Sequence, residues 1–264
     1  MREVIALAEA AGAAILEVYD GGAEAAGVTT KADHSPLTRA DRRSHEVIVA
    51  GLRRLTPEIP VVSEEGDPVG HDVPSAGLRW VVDPLDGTKE FLKRSGEFTV
   101  NIALVRDDRP LAGVVHAPVS GVTWVGGREG AWRLTAGAAP QVLRAAAAPD
   151  RAALRIVASR DHAGPAVRAM LARCPGATTL SIGSSLKFCL IAEGRADLYY
   201  RDGPTMEWDT AAAQAVLEAA GGAVCTLDGR ELAYGKAALR NPAFIALGDP
   251  RFGWTGLVDV AADP

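Results

Sequence analysis

The N-terminal part of the chain carries apolar residues at helical spacing. From Val4 to Val18 an apolar side chain recurs every three or four positions, which predicts an amphipathic helix that ends at Gly21-Gly22. A second helix is predicted from about Ala40 to Leu55, where Thr56-Pro57 closes it. Because each helix has a single apolar face, both are expected to pack against another layer of the fold.

Short β-rich segments follow, separated by turn residues. Proline cannot donate a ladder hydrogen bond, so strand pairing is expected to stop at Pro84. A polar turn is expected at Arg106–Pro110, and the glycines between residues 126 and 130 predict a hairpin. The predicted strands are Ile59–Ser63, Arg79–Val82, Thr99–Val105, Leu111–His116, Val122–Val125 and Ala131–Leu134.

Beyond about residue 140 the pattern alternates between β and α segments. The sequence therefore predicts layers of sheet and helix, with an N-terminal α+β half of residues 1–140 and a C-terminal α/β half of residues 141–264. The predicted elements of the second half are strands at Leu154–Ala158, Thr178–Ile182 and Ala196–Arg201, and helices at Gly164–Cys174, Ser185–Glu193 and Thr210–Ala220.

Composition and charge narrow the class of protein. The 264 residues are 48% hydrophobic and 23% charged, which is ordinary for a globular enzyme, and disorder is expected only at residues 261–264. The net charge is -5, so there is no global basic field for a nucleic acid polymer or an anionic lipid. An anionic substrate would need metal ions or a local cluster of Lys and Arg.

The cysteines and the N-terminus bear on location. Cys174, Cys189 and Cys225 are far apart and form no CxxC pair, so free buried thiols and a reducing compartment are expected rather than disulfides or a zinc site. The first twenty residues lack a continuous apolar core, so neither a signal peptide nor a membrane span is predicted. We expect a cytoplasmic protein, and the sequence leaves a homodimer open.

The candidate chemistry centres on an acidic turn after an apolar strand. That strand delivers Asp83 at its end, the chain turns through Leu85, and Asp86 follows. Two carboxylates at such a turn, together with the Leu85 carbonyl, can converge on a hard cation such as Mg²⁺. Gly87 permits a close backbone approach, and Thr88 stands where a helix could begin, whose free amides would suit a phosphate.

Two further acidic positions strengthen the metal hypothesis. Glu64 follows a second short strand, and Asp209 stands before an apolar helix, where it could equally serve as an N-cap. A simpler interpretation of the turn is a strand end with solvated aspartates. If the four carboxylates converge, their mutual repulsion requires protons or cations, so convergence predicts a bound metal.

These segments resemble a known family. Glu64-Glu65, Asp83-Pro84-Leu85-Asp86-Gly87-Thr88 and Trp208-Asp209-Thr210-Ala211-Ala212 are similar, in order and separation, to the signatures of the inositol monophosphatase-like superfamily. Three more segments resemble its 3′(2′),5′-bisphosphate nucleotidase branch, of the bacterial CysQ type. They are Lys31–Pro36, the stretch after the shared motif that consists of Lys89–Phe91 and Gly96–Ala103, and Ser181–Cys189.

The resemblance implies a fold and an activity. The fold would be a layered α/β/α/β/α sandwich of the inositol monophosphatase and fructose bisphosphatase type. The activity would be magnesium-dependent, often lithium-sensitive hydrolysis of adenosine 3′,5′-bisphosphate to AMP and phosphate. About two or three Mg²⁺ ions would be held by the Leu85 carbonyl and by Glu64, Asp83, Asp86 and Asp209.

Further roles are implied by the same resemblance. Thr88 would orient the nucleophilic water with Asp41 behind it as the base, and the amides near Gly87 would receive phosphate oxygens. Lys187, Arg201 and Ser184 are candidates for the second phosphate of the nucleotide, although a solvated helix face and a strand end would also account for them. His34, His45, His71, His116 and His162 show no ligand spacing and are interpreted as structural or surface residues.

Two other functions remain open at this point. An inositol phosphate or fructose bisphosphate phosphatase of the same superfamily would use the same metals on a different substrate. A non-catalytic nucleotide-binding module would keep the fold without turnover, although the complete set of acids together with Thr88 and Asp41 argues against it.

Overall fold

The computed structural model describes residues 1–22, 26–30, 36–66, 76–158 and 164–258. Residues 31–35 of the family motif, the histidines His34, His71 and His162, and the expected disorder at residues 261–264 lie outside this part. In the described residues, no helix combines the length and the apolar character that a membrane span requires. The three cysteines are free and buried, as predicted.

Two helices cover one face of the first sheet. Helix α1 (Arg2–Asp20) and helix α2 (Arg39–Leu55) bury their apolar faces against each other and against the sheet, as their sequence pattern predicts. Two small strands precede α2, β1 (Thr29–Thr30) and β2 (Pro36–Leu37), and they pair in antiparallel fashion. Thr38 caps α2 by accepting the Asp41 amide, and the Asp41 carboxylate bonds back to Thr38.

The first sheet has its strands in sequence order. The first two are parallel and the remainder pair in antiparallel fashion, so hairpins connect most neighbours. The polar turn predicted between the third and fourth of these strands is present at residues 107–108. The strands are β3 (Val61–Ser63), β4 (Leu78–Asp86), β5 (Thr99–Arg106), β6 (Arg109–Ala117), β7 (Val122–Gly127), β8 (Gly130–Thr135) and β9 (Gln141–Val142).

The second sheet combines parallel and antiparallel pairs in the order β11-β10-β12-β16-β14. Strands β14 and β16 are not predicted from the sequence pattern, although β16 lies inside the sheet between β12 and β14. The short apolar run of β16 shows no alternation that separates a strand from a buried loop. The strands are β10 (Arg155–Ala158), β11 (Thr178–Ser181), β12 (Leu198–Arg201), β14 (Ala223–Thr226) and β16 (Phe244–Leu247).

The remaining elements complete the layers. Between β4 and β5 lies the short helix α3 (Thr88–Leu92), and β13 (Thr205–Met206) pairs with β15 (Arg240–Asn241) beside the second sheet. The other helices are α4 (Pro165–Ala172), α5 (Leu186–Ala192) and α6 (Glu207–Ala219).

The helices α5 and α6 lie between the two large sheets. Helix α6 packs on β4 to β8 of the first sheet, while α5 packs on α6 and on strands β12 and β16 of the second. The central core joins residues of both sheets with these two helices, and α4 packs with the outer face of the second sheet. Together with α1 and α2 outside the first sheet, this arrangement is the α/β/α/β/α sandwich that the resemblance implies.

Candidate active site

The end of β4 is irregular, and this irregularity presents its acidic residues. Strand β4 pairs with β5 up to Asp83 opposite Asn101, and again at Asp86 opposite Thr99, so β4 has one more residue between these pairs. Such a bulge bends a strand and redirects its side chains. The prediction that pairing stops at Pro84 is wrong, because a bulge needs no ladder hydrogen bond from proline and the strand continues to Asp86.

Glu64 and Asp83 are brought together by the parallel pairing of β3 and β4. Ser63 is opposite Val82, and the Glu64 amide donates to the Val82 carbonyl oxygen at 3.1 Å. Asp83 is almost fully buried, and its Oδ1 accepts the Leu85 amide at 3.0 Å. The carboxyl group of Glu64 lies near that of Asp83 and is one of the causes that raise the pKa of Asp83.

Asp209 approaches the same place from the C-terminal half of the chain. It is the third residue of α6, and its Oδ2 accepts the Met206 amide at 2.8 Å. The alternative role as an N-cap is wrong, because the helix begins two residues earlier, at Glu207. A carboxylate in the first turn is still favourably placed relative to the helix dipole.

The buried carboxyl groups raise one another's pKa. Burial above all, followed by the charges of Glu64, Asp86 and Asp209, raises the pKa of Asp83 well above its ordinary value. Burial and then the charge of Asp86 raise the pKa of Asp209 to about 8, although the hydrogen bond from Met206 opposes this. In the absence of a cation, this cluster therefore favours protonation.

The start of α6 is stabilised by contacts that the sequence pattern does not predict. Glu207 is fully buried, accepts the amides of Gly235 and Lys236, and forms an ion pair with the Lys236 Nζ at 2.9 Å. Thr210 accepts a hydrogen bond from the Tyr234 hydroxyl at 3.0 Å. In the sequence, the only indication of a role for Glu207 is its position beside the Trp208-Asp209 motif. Its partners Gly235 and Lys236 lie in a loop far along the chain.

Thr88 and Asp41 are in contact, as the resemblance implies. The Thr88 hydroxyl lies 3.3 Å from the Asp41 Oδ1 and 3.4 Å from the Leu85 carbonyl oxygen. The other oxygen of Asp41 accepts the Thr38 amide at 2.8 Å. Thr88 is the first residue of α3, and Gly87 before it has φ 95°, a left-handed conformation that favours glycine.

Asp86 is held by two residues that were not predicted as functional. Its Oδ2 accepts the Ser185 amide at 2.6 Å, the Ser185 hydroxyl at 2.7 Å and the Asn101 Nδ2 at 3.3 Å. Ser185 and Asn101 are both almost fully buried. Both lie in segments that carried the family resemblance, but no local spacing indicates that they meet Asp86.

A cavity of about 150 Å³ adjoins the acidic residues, and the side chains of Lys187 and Arg201 line it. The Lys187 Nζ donates to the Ser184 carbonyl oxygen at 2.8 Å and lies 5.5 Å from the centre of the Tyr199 ring. Arg201 donates to the carbonyl oxygens of Gly203 and Pro204. Of the predicted residues, Asp86, Gly87, Ser184, Lys187, Arg201 and Asp209 line this cavity.

Lys187 and Arg201 have no carboxylate partner in the described part of the chain, since neither has a carboxylate oxygen within 4 Å there. Burial lowers the pKa of Lys187, although the negative charge of Asp86 opposes this effect. Ser184 has φ 49°, unusual for a residue with a side chain, and its buried hydroxyl has no hydrogen-bond partner in the described part of the chain. The cavity therefore offers the two cations to an anion, with the buried Ser184 hydroxyl beside them.

The donor set fits a hard divalent cation, but the acids are not arranged around a single point. Among the described residues, no three His, Cys, Asp or Glu side chains form a metal-binding group, and Asp86 and Asp209 each bond to a backbone amide. Carboxylate and carbonyl oxygens are nevertheless the ligands that Mg²⁺ prefers. Repulsion between neighbouring carboxylates contributes to the raised pKa values of Asp83 and Asp209, and a bound cation would relieve that repulsion.

Comparison with known proteins identifies the relatives of the chain. Residues 1–247 match the model of the inositol monophosphatase family. The 3′(2′),5′-bisphosphate nucleotidase CysQ of Escherichia coli O157:H7 is 50% identical over 244 residues, which cover 92% of this chain and 97% of that protein.

Solved structures agree with this relationship. The crystal structure of CysQ from Bacteroides thetaiotaomicron has a TM-score of 0.79 and 39% identity, and the match covers 95% of this chain and 97% of that one. The extragenic suppressor protein suhB from Bartonella henselae shares the fold at 23% identity, with a TM-score of 0.81 and 99% of each chain covered. With its fold, its ordered acidic motifs and these relatives in agreement, the chain belongs to the inositol monophosphatase family.

Proposed function

We propose that this protein is a magnesium-dependent 3′(2′),5′-bisphosphate nucleotidase that hydrolyses adenosine 3′,5′-bisphosphate to AMP and phosphate. The similarity to the CysQ nucleotidases of Escherichia coli and Bacteroides thetaiotaomicron supports the activity. The observation that carries the choice of substrate is the pair Lys187 and Arg201, which lies beside the acidic cluster without carboxylate partners in the described residues.

The acidic residues would hold the metal. Members of the family are metal-dependent phosphatases that generally use Mg²⁺. We assign about two or three ions to the Leu85 carbonyl and the carboxylates of Glu64, Asp83, Asp86 and Asp209. Bound Mg²⁺ would supply charge neutralisation and acidify a water molecule.

Thr88 and Asp41 would orient the attacking water and accept its proton. The Thr88 hydroxyl can donate to Asp41 and accept from water, so it can orient the water while Asp41 receives the proton through it. The hydrogen bonds from Thr38 hold the other oxygen of Asp41 in place. Phosphoryl transfer depends mainly on such positioning and on charge neutralisation.

The cationic side of the cavity would bind the phosphate that hydrolysis leaves intact. A monoester such as inositol 1-phosphate presents no second phosphate, so it gains nothing from Lys187 or Arg201 at this position. Charge-assisted hydrogen bonds to phosphate are each worth roughly 1.5–3 kcal/mol. The aromatic side chains of Phe188 and Tyr199 also line the cavity and would lie beside the nucleoside.

The test compares matched substrates on matched variants. Phosphate release is measured from adenosine 3′,5′-bisphosphate, adenosine 3′-monophosphate, inositol 1-phosphate and fructose 1,6-bisphosphate. We expect the first to have the highest specificity constant. Lys187→Met and Arg201→Ala should each lower that constant by about ten- to a hundredfold, with little change for adenosine 3′-monophosphate. Arg195→Ala removes an exposed cation from the surface and serves as the control.

The outcomes separate the candidate functions. If the specificity constants for the monophosphate and the bisphosphate fall equally, Lys187 and Arg201 stabilise the fold or the metal site and do not bind the second phosphate. A preference for inositol 1-phosphate or fructose 1,6-bisphosphate would favour another phosphatase of the family, and ligand binding without phosphate release would favour a binding module.

The three free, buried cysteines support our proposal of a reducing, cytoplasmic location.

A further inference from the structure

The hydrogen bonds of Asp86 are distributed unevenly between its two oxygens. Its Oδ2 accepts the Ser185 amide at 2.6 Å, the Ser185 hydroxyl at 2.7 Å and the Asn101 side chain at 3.3 Å. Its Oδ1 accepts no hydrogen bond from the part of the chain that the structure describes. One oxygen is therefore saturated by protein donors, while the other is available in a residue that lines the cavity.

Ser185 and Asn101 form a connected pair. The Asn101 Nδ2 donates to the Ser185 hydroxyl oxygen at 2.8 Å, and its second hydrogen is directed to Asp86. The same hydroxyl lies 2.9 Å from the Asp209 carbonyl oxygen, so it contacts the start of α6 as well. Both residues are only 1% exposed, which keeps water from competing for these bonds.

The turn that contains Ser185 is constrained from both sides. Before it, the Gly183 amide donates to the Glu97 Oε2 at 2.9 Å, and Ser184 between them has φ 49°. Such a conformation is costly for a residue with a side chain and persists when its surroundings enforce it. Glu97 and Asp86 come from the N-terminal half, so both fix the turn relative to the first sheet.

We propose that Ser185 and Asn101 are positioning residues that hold Asp86 by one oxygen, so that its other oxygen is oriented to bind Mg²⁺. This inference rests on the proposed function, because it requires Asp86 to be a metal ligand. Hydrogen-bond partners of a metal ligand fix its orientation, and their removal typically lowers metal affinity or activity by about 10–100-fold. A purely structural role, in which Asp86 only satisfies the Ser185 amide, predicts no change in metal affinity.

The experiment measures Mg²⁺ binding by isothermal titration calorimetry on the substrate-free protein. Ser185→Ala removes the hydroxyl but keeps the backbone amide, and Asn101→Ala removes the other donor. We expect each to raise the Mg²⁺ dissociation constant by about 10–100-fold, and Ser185→Thr, which keeps a hydroxyl, to restore most of the affinity. The double variant should lose less than the product of the two single losses, because both donors act on the same oxygen.

Thr123→Val is the matched control. It removes a hydrogen bond to His116 from another almost fully buried position in the same sheet, so it reports the effect of lost stability alone. Unchanged Mg²⁺ affinity in Ser185→Ala and Asn101→Ala, with binding by the parent protein, would overturn the positioning role and leave the proposed function intact. No Mg²⁺ binding by the parent protein would overturn both. If Asn101→Ala does not fold, Asn101→Ser keeps a small donor and the Ser185 variants decide the question.

Discussion

Asp41 forms hydrogen bonds with two residues, Thr38 and Thr88, and the two contacts have different roles. Through Oδ2 it closes the capping box of α2 with Thr38, and through Oδ1 it contacts Thr88. The capping box explains why an acid at this position is favourable without any catalysis. The contact with Thr88 is what connects it to the proposed chemistry, and that contact can be removed while the cap is left in place.

Replacing Thr88 tests this connection. Thr88→Ala should lower kcat by about two to four orders of magnitude, because a group that positions water acts in the transition state. The Michaelis constant for adenosine 3′,5′-bisphosphate should change little. Steady-state kinetics at saturating Mg²⁺ provide the measurement, and Thr88→Ser, which keeps the hydroxyl, should retain most of the rate. A normal kcat with a raised Michaelis constant would make Thr88 a substrate-binding residue only.

Replacing Asp209 separates metal binding from stability. Asp209→Asn removes a charge that burial disfavours but keeps an oxygen that can accept the Met206 amide. In metal-free protein at pH 8, we expect the variant to unfold at a higher temperature than the parent, by roughly 2–4 °C for each kcal/mol of repulsion relieved.

Activity provides the second measurement for this variant. Turnover by Asp209→Asn should be abolished, because the lost charge belongs to a proposed metal ligand. Asp228→Asn is the control, since Asp228 is a surface carboxylate paired with Arg230 and its replacement should not stabilise the protein. Normal turnover of Asp209→Asn at saturating Mg²⁺ would be incompatible with the assignment.

At the scale of elements, the position of Asp209 depends on how closely α6 packs on the first sheet. Gly113 and Gly126 are directly opposite each other on β6 and β7. A Cβ atom on Gly113 would lie 2.1 Å from the Ala212 carbonyl oxygen, and one on Gly126 would lie 2.3 Å from the Val216 Cα. The helix backbone therefore rests directly on these glycines, and any larger residue must displace it.

Gly126→Ala should therefore destabilise the protein and disturb the site together. Overpacking of this kind typically costs about 1–3 kcal/mol, and here the obstructing atoms are backbone. Gly127→Ala is the matched control, because its Cβ would meet the Ala112 Cβ at an ordinary 3.4 Å. Thermal unfolding and Mg²⁺ titration should both distinguish the two variants. Equal unfolding temperatures would show that α6 can shift without penalty.

At the scale of the whole molecule, the acidic cluster makes stability depend on pH and metal together. Burial raises the pKa of Asp209 from its ordinary 3.8 to about 8, and Asp83 shifts in the same direction. A carboxyl group with a raised pKa stabilises the folded state at low pH, and this contribution is lost as the pH rises through the folded-state value. The metal-free protein should therefore become less stable between about pH 4 and pH 8 on account of these groups.

Titration of His116 limits the pH interval in which the effect of the carboxyl groups on stability can be measured alone. Burial lowers the pKa of His116 from 6.5 to about 4, so this group destabilises the folded state as the pH falls below 6.5. A comparison of pH 7 with pH 8.5 avoids that effect. We expect the unfolding temperature of metal-free protein to fall over this interval and that of the magnesium-saturated protein to stay nearly constant. An equal fall of the unfolding temperature with and without Mg²⁺ would contradict the proposed coupling between pH and metal binding.

Local sequence predicts most of the secondary-structure elements and suggests the candidate reacting groups. The helices α1 and α2 and most strands followed from hydrophobic spacing and from turn residues, both of which act over a few positions. The carboxylates are recognisable in the sequence because each follows a short apolar run or precedes an apolar helix. The family motifs added the contact between Thr88 and Asp41, which the fold confirms.

Contacts between distant groups depend on the folded arrangement of the elements. Asp86 and Ser185 are 99 positions apart, and their contact depends on the bulge in β4 and the turn before α5. The insertion of β16 between β12 and β14 likewise depends on pairing partners rather than on its own four residues. Spacing along the chain reports the face on which a side chain lies, whereas contacts between elements depend on register and packing, which local sequence does not specify.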